Sequence, residues 1–244
     1  MALDFRIRDF IMTDPQILQS AFDEAYKAEL DVAIGDIEMP LFTLIQAAFK
    51  GEIQIGGGRH HAVALLNNAL ETLISSLQLL RQAATTQGLA LLRISLEADA
   101  VAIWITSDNE ALSQYARRDG NFKSVRAISF TRKKLPQLPE FWGALSQATI
   151  HPNVTVFGPL EGPNGSATIS FMRRELDPNR DRGALRALSV GAAMLLRAAE
   201  LALLVDDPGH PGWLRLPGSD IIVTGTAASL LDIRYQAFKS HAYD

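Results

Sequence analysis

The stretch HHAVALLNNALETLISSLQLLRQ, residues 60–82, decides the fold. Val63, Leu66, Leu70, Leu73, Leu77 and Leu80 recur at alternating steps of three and four residues. Asn67, Glu71, Ser75, Gln78 and Gln82 recur between them as a polar stripe. This is the period of an amphipathic helix, which must bury its leucine face against a neighbour. Thr85, Thr86 and Gly88 read as a short break. The next segment, LLRISLEADAVAIWI at 91–105, is apolar almost all round and predicts a central helix over about 89–106. A short break between two long helices predicts antiparallel packing, the rule of helical bundles.

Working outward, residues 15–33 predict an amphipathic helix with Asp14 as cap and Pro15 in its first position. Residues 41–50 predict another, ending near Gly51. Downstream, helices are expected over 109–118, capped by Ser107 or Asp108, over 121–134, and over 139–150, stopped by His151-Pro152. VTVF at 154–157 and ATISF at 167–171 alternate in the strand sense around the turn-rich GPLEGPNGS. They predict a small β-hairpin within 153–172. A long helix at 182–205, a short strand at 221–224 and a last helix at 227–239 complete the chain. With no repeat and no linker, the expected fold is a single domain over 1–244, mostly α: an antiparallel helical bundle with one small β-hairpin excursion.

Composition narrows the function. The chain has 244 residues, 48% apolar and 20% charged, which is ordinary for a globular protein. A net charge of −4 excludes a surface covered in cations but leaves room for a local basic patch. The absence of cysteine excludes disulfides, cysteine-ligated zinc and thiol catalysis, and fits an expected cytoplasmic location. MALDFRIRDF is charged at Asp4, Arg6, Arg8 and Asp9 and does not read as a secretory leader. LSVGAAMLLRAAELALLV, residues 188–205, is interrupted by Arg197 and Glu200. A charge at the centre of a membrane helix costs about 2.5–3.5 kcal/mol, so a buried helix is expected there rather than a membrane span.

Arg93 and Glu97 raise the question of chemistry. At 100° per residue they share one stripe with Ala100 and Trp104, while Asp99 points nearly the other way. Charges in an apolar helix must be paired, and one Arg–Glu pair leaves guanidinium donors to be satisfied elsewhere. FWGALSQATIHP, residues 141–152, offers Ser146 and His151 near the end of its helix. Antiparallel packing would bring Arg93, Glu97, Ser146 and His151 together as candidate catalytic residues. His151 suits general acid/base work, and Arg93 suits holding a phosphate or carboxylate. The competing reading is an ion pair that fixes helix packing.

RISLEADAVAIWI followed by ALSQATIHP resembles an Arg-x-x-Leu-Glu … Leu-Ser-x-x-x-His-Pro signature of bacterial helical proteins grouped with HEPN-like domains. The resemblance covers roughly residues 60–152. It implies an all-α, cofactor-free bundle, commonly a homodimer. Its superfamily contains metal-independent ribonucleases of toxin and phage-defence systems. The implied function is RNA cleavage or RNA binding in a defence or stress system. In cleavage, His151 would serve as acid or base and Arg93 would stabilise the phosphorane charge. The compact Arg-x(4–6)-His motif of catalytic members is absent around Arg93 and occurs once, as RYQAFKSH from Arg234 to His241. Two rival classes stand beside this: a non-catalytic interaction protein, and a small-molecule sensor with a pocket between helices.

Three further features bear on ligands. Arg117, Arg118, Lys123, Arg126, Arg132, Lys133 and Lys134 face a single acid, Asp119, with Phe122 and Phe130 interleaved. Arg126, Arg132, Lys133 and Lys134 are the expected nucleic-acid contacts. Arg197 and Glu200 form a second charge pair at i,i+3 spacing. His60-His61 after three glycines reads as a loop-to-helix start, because adjacent histidines diverge and no HExxH pattern follows; no metal site is expected.

Overall fold

The leucine stripe at 60–82 is buried as its period requires. In the computed structural model, which describes residues 15–49, 56–117, 122–149, 160–161, 167–168, 176–203, 213–215, 222–224 and 227–240, that segment forms the helix Gly58–Arg81. In chain order the helices are α1 (Pro15–Ala25), α2 (Lys27–Phe49), α3 (Gly58–Arg81), α4 (Thr85–Ser107), α5 (Asn109–Ala116), α6 (Ser124–Thr131), α7 (Gln137–Thr149), α8 (Pro178–Leu203) and α9 (Ala227–Ser240). The described chain is mostly helical. Leu66, Leu70, Leu73 and Leu80 are buried, and Asn67, Glu71, Ser75 and Gln78 are exposed. By length and composition α3 could cross a bilayer. Its outward Asn67, Asn68 and Glu71 would then meet lipid, an expensive arrangement.

α3 and α4 are antiparallel. Ser76 Oγ donates to the Gly88 carbonyl at 2.7 Å and Ser95 Oγ to the Ala69 carbonyl at 3.1 Å, so contacts retreat along one helix as they advance along the other. The break between them is shorter than the sequence suggested. It consists of Gln82 to Ala84, with Ala83 in the left-handed region at φ 56°. Backbone N–H groups of Gln82, Ala83 and Ala84 return to the carbonyls of Leu79 and Leu80, which closes the helix end. Thr85, Thr86 and Gly88 are therefore the first turn of α4 rather than a break. Gly88 is there for close packing: a Cβ would lie 2.8 Å from Leu80 Cδ2.

Two other boundaries differ from expectation. The helix expected over 15–33 divides at Tyr26, although Tyr26 N–H still donates to the Phe22 carbonyl at 2.9 Å. The separate helix expected at 41–50 does not exist, because α2 continues through Pro40. A proline costs a helix its own N–H bond and one tight contact, and the packing of α2 on α8 outweighs that loss.

The bundle is not uniformly antiparallel. α8 runs alongside α4 in the same direction, with Thr85 against Asp181 and Leu92 against Gly191. α7 runs antiparallel to α4, from Trp142 beside Glu97 to Ser146 beside Arg93, and so already brings the chain back to the end of α4 at which α8 begins. α8 is buried almost all round, from Ala184 to Leu203, against α2, α3, α4 and α9. A Cβ on Gly191 would stand 2.2 Å from Leu92 Cδ1 and 3.3 Å from Leu73 Cδ2, so α3, α4 and α8 meet most closely there. Two short antiparallel ladders accompany the bundle. β1 (Leu160–Glu161) pairs with β2 (Ala167–Thr168), and β3 (Trp213–Arg215) pairs with β4 (Ile222–Thr224). The strand expected at 154–157 lies outside the described residues, and β3 was not expected.

Candidate functional site

Arg93 occupies the middle of α4, where the helix passes between α7 and α6. Its Nη2 lies 2.9 Å from Glu97 Oε1, and its Nε donates to Ser146 Oγ at 2.8 Å. The guanidinium carbon lies over the Trp142 ring, 4.7 Å from its centroid, a cation–π contact. Ser146 Oγ in turn donates to the Trp142 carbonyl at 2.8 Å. Glu97 is equally engaged: Oε1 accepts from Trp142 Nε1 at 3.1 Å and Oε2 from Ser124 Oγ at 3.0 Å. The structure thus brings together Arg93, Glu97 and Ser146, three of the four expected site residues. The fourth, His151, lies outside the described residues, as does Pro152.

The sequence missed Trp142 and Ser124. Trp142 stands one turn before Ser146 and was within reach of an i,i+4 reading. Ser124 opens α6 and reaches Glu97 only through tertiary packing, so no local pattern announced it. The two side chains make the cluster a junction of three helices. Arg93 and Glu97 are 18% and 22% exposed, and Arg93 Nε and Nη2 and both Glu97 oxygens already contact neighbouring side chains.

Three other carboxylates lie deeper. Asp181, near the start of α8, accepts from the Asp177 N–H at 2.8 Å, Thr85 Oγ1 at 3.1 Å and Tyr26 hydroxyl at 3.3 Å. Asp36 on α2 is 1% exposed and is met by Arg234 of α9, whose Nη2 donates to Oδ1 at 2.9 Å. Arg234 Nε is 2.7 Å from Oδ2, close enough for an ion pair but off the hydrogen-bond axis. Burial pushes the Asp36 carboxyl upward while Arg234 and Ser189 pull it back. Arg234 is the arginine of RYQAFKSH, so that match joins two helices. Its partner His241 lies outside the described residues. Asp99 is the third: it is fully buried, and neither carboxyl oxygen has a hydrogen-bond partner among the described residues. Burial alone holds its pKa well above the usual carboxylate range.

Arg197 and Glu200 pair with each other, Nη1 to Oε2 at 2.7 Å. His61 packs edge-on against Tyr115 at 5.5 Å, and His60 is exposed. No group of three metal-binding side chains converges among the described residues.

The basic segment forms a ridge on and after α6. Lys123, Arg126, Arg132, Lys133 and Lys134 are exposed, and no carboxylate occurs from Phe122 to Pro139. Among the described residues none of the five forms an ion pair with an acid. Phe122 and Phe130 flank the ridge, half-buried against Trp104 at 5.2 and 6.2 Å between ring centroids. Trp104 Nε1 donates to Asp108 Oδ2 at 3.3 Å, and Asp108 caps α5 through Oδ1. Arg118 and Asp119 lie outside the described residues. No family model, curated protein or solved structure matches this chain.

Proposed function

We propose that the protein is an RNA-binding helical protein of HEPN-like type that uses the α6 ridge as its contact surface. The observation that carries this reading is the set of five exposed cations, Lys123 to Lys134, with no acid in the same segment of a chain whose net charge is −4. Such segregation of charge is the electrostatic footprint of a polyanion site, and half-buried aromatics beside it suit a single strand with exposed bases. On this reading the Arg93 cluster positions the ridge. Glu97 holds Ser124 at the start of α6, and Arg93 balances the charge of Glu97. Cleavage at Arg93 would need a guanidinium able to turn to a phosphate, whereas this one is held by Glu97, Ser146 and Trp142.

The test is fluorescence anisotropy with labelled oligouridylate over a salt series. Contacts to four or five phosphates give a log–log slope of about −3, from about 0.7 per contact on single strands. The Arg126→Glu/Lys133→Glu double variant, folded as judged by circular dichroism, is expected to bind at least about tenfold more weakly. Equal binding by wild type and double variant would sink the proposal. Running the same RNA on a denaturing gel separates binding from cleavage. Intact RNA is expected; cleavage lost in a folded Arg93→Ala variant would restore the ribonuclease reading.

A further inference from the structure

Where the ridge ends, at Lys134, a cavity of about 360 Å³ opens between the starts of α3 and α5 and the end of α8. That size falls within the range of small-ligand sites. Ile105, Leu112, Leu201 and Ala202 are the cavity's apolar lining residues. Its polar lining is Arg59, Thr106, Ser107, Asn109 and Lys134, two cations and three neutral groups, with no carboxylate among the described lining residues. Lys134 is held there without being neutralised. Its Nζ donates to Ser107 Oγ at 2.6 Å, and the Ser107 hydroxyl in turn donates to the Ile103 carbonyl at 2.7 Å. The first residue of α3, Gly58, also borders the cavity, and no side chain caps that helix end. A Cβ there would stand 3.0 Å from the Ile105 carbonyl, so the backbone approaches α4 closely.

We infer that this cavity receives a terminal phosphomonoester, with the attached nucleoside against the apolar lining residues Ile105, Leu112 and Leu201. The inference rests on the RNA reading, because Lys134 belongs to both surfaces and a strand tracked along α6 is led to the cavity mouth. Lysine binds phosphate as a point charge, and the ammonium here keeps donors to spare. The same chemistry is offered by the phosphorylated end of a strand and by a free mononucleotide.

The experiment compares oligouridylates carrying a 5′-phosphate, a 3′-phosphate or hydroxyls at both ends, alongside uridine monophosphate, on the full chain. One phosphorylated strand is expected to bind about tenfold tighter than the hydroxyl-ended strand, the scale of one charge-assisted contact. Asn109→Asp places a carboxylate in the lining at the first position of α5, where a negative charge favours the helix, so the variant should fold. It is expected to remove the phosphate advantage and to weaken hydroxyl-ended binding by a smaller factor, because Lys134 belongs to both surfaces. The Arg126→Glu/Lys133→Glu variant weakens every strand. Uridine monophosphate that binds and competes identifies a free-nucleotide site; phosphorylated strands that bind without it identify a strand-end site. If no strand binds but uridine monophosphate does, sensitively to Asn109→Asp, the cavity stands and the RNA reading falls. Equal binding of all strands with no uridine monophosphate binding overturns the inference. So does a phosphate advantage that survives Asn109→Asp.

Discussion

Arg93 and Glu97 lie on the same helix as Asp99, within two turns, and the protein treats these charges in opposite ways. The first two are partly exposed, paired with each other and met by Ser146, Trp142 and Ser124. Asp99 is fully buried and has no partner among the described residues. The difference follows from the faces of α4. One side meets α6 and α7, whose polar side chains answer the pair. The other meets the apolar interior of α3 and α8, which answers nothing. Asp36 shows the intermediate case: as deeply buried as Asp99, but met by an arginine from α9.

The sharpest way to break this comparison is to turn Asp36 into a second Asp99. Arg234→Ala removes its partner and leaves a carboxylate with 1% exposure. Losing one partner of a buried pair costs about 3–5 kcal/mol, and the partial exposure of Arg234 places the expectation near about 3 kcal/mol in urea denaturation at neutral pH. Because burial already raises the Asp36 pKa, the loss should shrink as pH falls toward about 4 and the carboxyl takes up its proton. A loss below about 1 kcal/mol would show that burial, not pairing, governs that site.

The Arg93 cluster is expected to cost less, because it is partly solvated. Arg93→Ala should lose about 2 kcal/mol, leaving Glu97 and the Ser146 hydroxyl short of a partner. In a double-mutant cycle with Glu97→Ala, the coupling should exceed about 1 kcal/mol. Strictly additive losses would mean the two side chains stabilise the fold independently.

Asp99 carries the smallest effect and the opposite sign. Asp99→Leu should raise stability by about 1–2 kcal/mol at neutral pH, since an unpaired buried polar group is replaced by an apolar one of similar size. The sign with pH follows from linkage. The unfolded carboxyl ionises around its ordinary value of 3.8, while the folded one keeps its proton to higher pH. Wild type therefore loses stability as pH rises above about 4, and the advantage of Asp99→Leu should grow over the same range. An advantage independent of pH would show that Asp99 finds a partner in solution.

Local rules reach part of this geometry. The i,i+4 spacing of Arg93 and Glu97 matches their ion pair, and the antiparallel packing expected from the short breaks between helices matches the approach of Ser146 to Arg93. Asp99 was not legible as an unsatisfied charge, because a helical wheel says which way a residue points and not what waits there. The same rules place a break at Thr85–Gly88, because threonine and glycine are poor helix formers; the hydroxyl of Thr85 is instead held by Asp181, ninety-six positions away in the chain.

By itself the sequence determined the helices, through the 3.6-residue period of their leucines, and the charge segregation of the segment from Lys123 to Lys134. Tertiary structure decided which charges are answered, that α8 runs parallel to α4, and that Lys134 stands at the mouth of a cavity with Arg59. The physical reason is range. Helical period and local charge are fixed by neighbours a turn away, whereas desolvation and pairing depend on which distant helix supplies the opposing face.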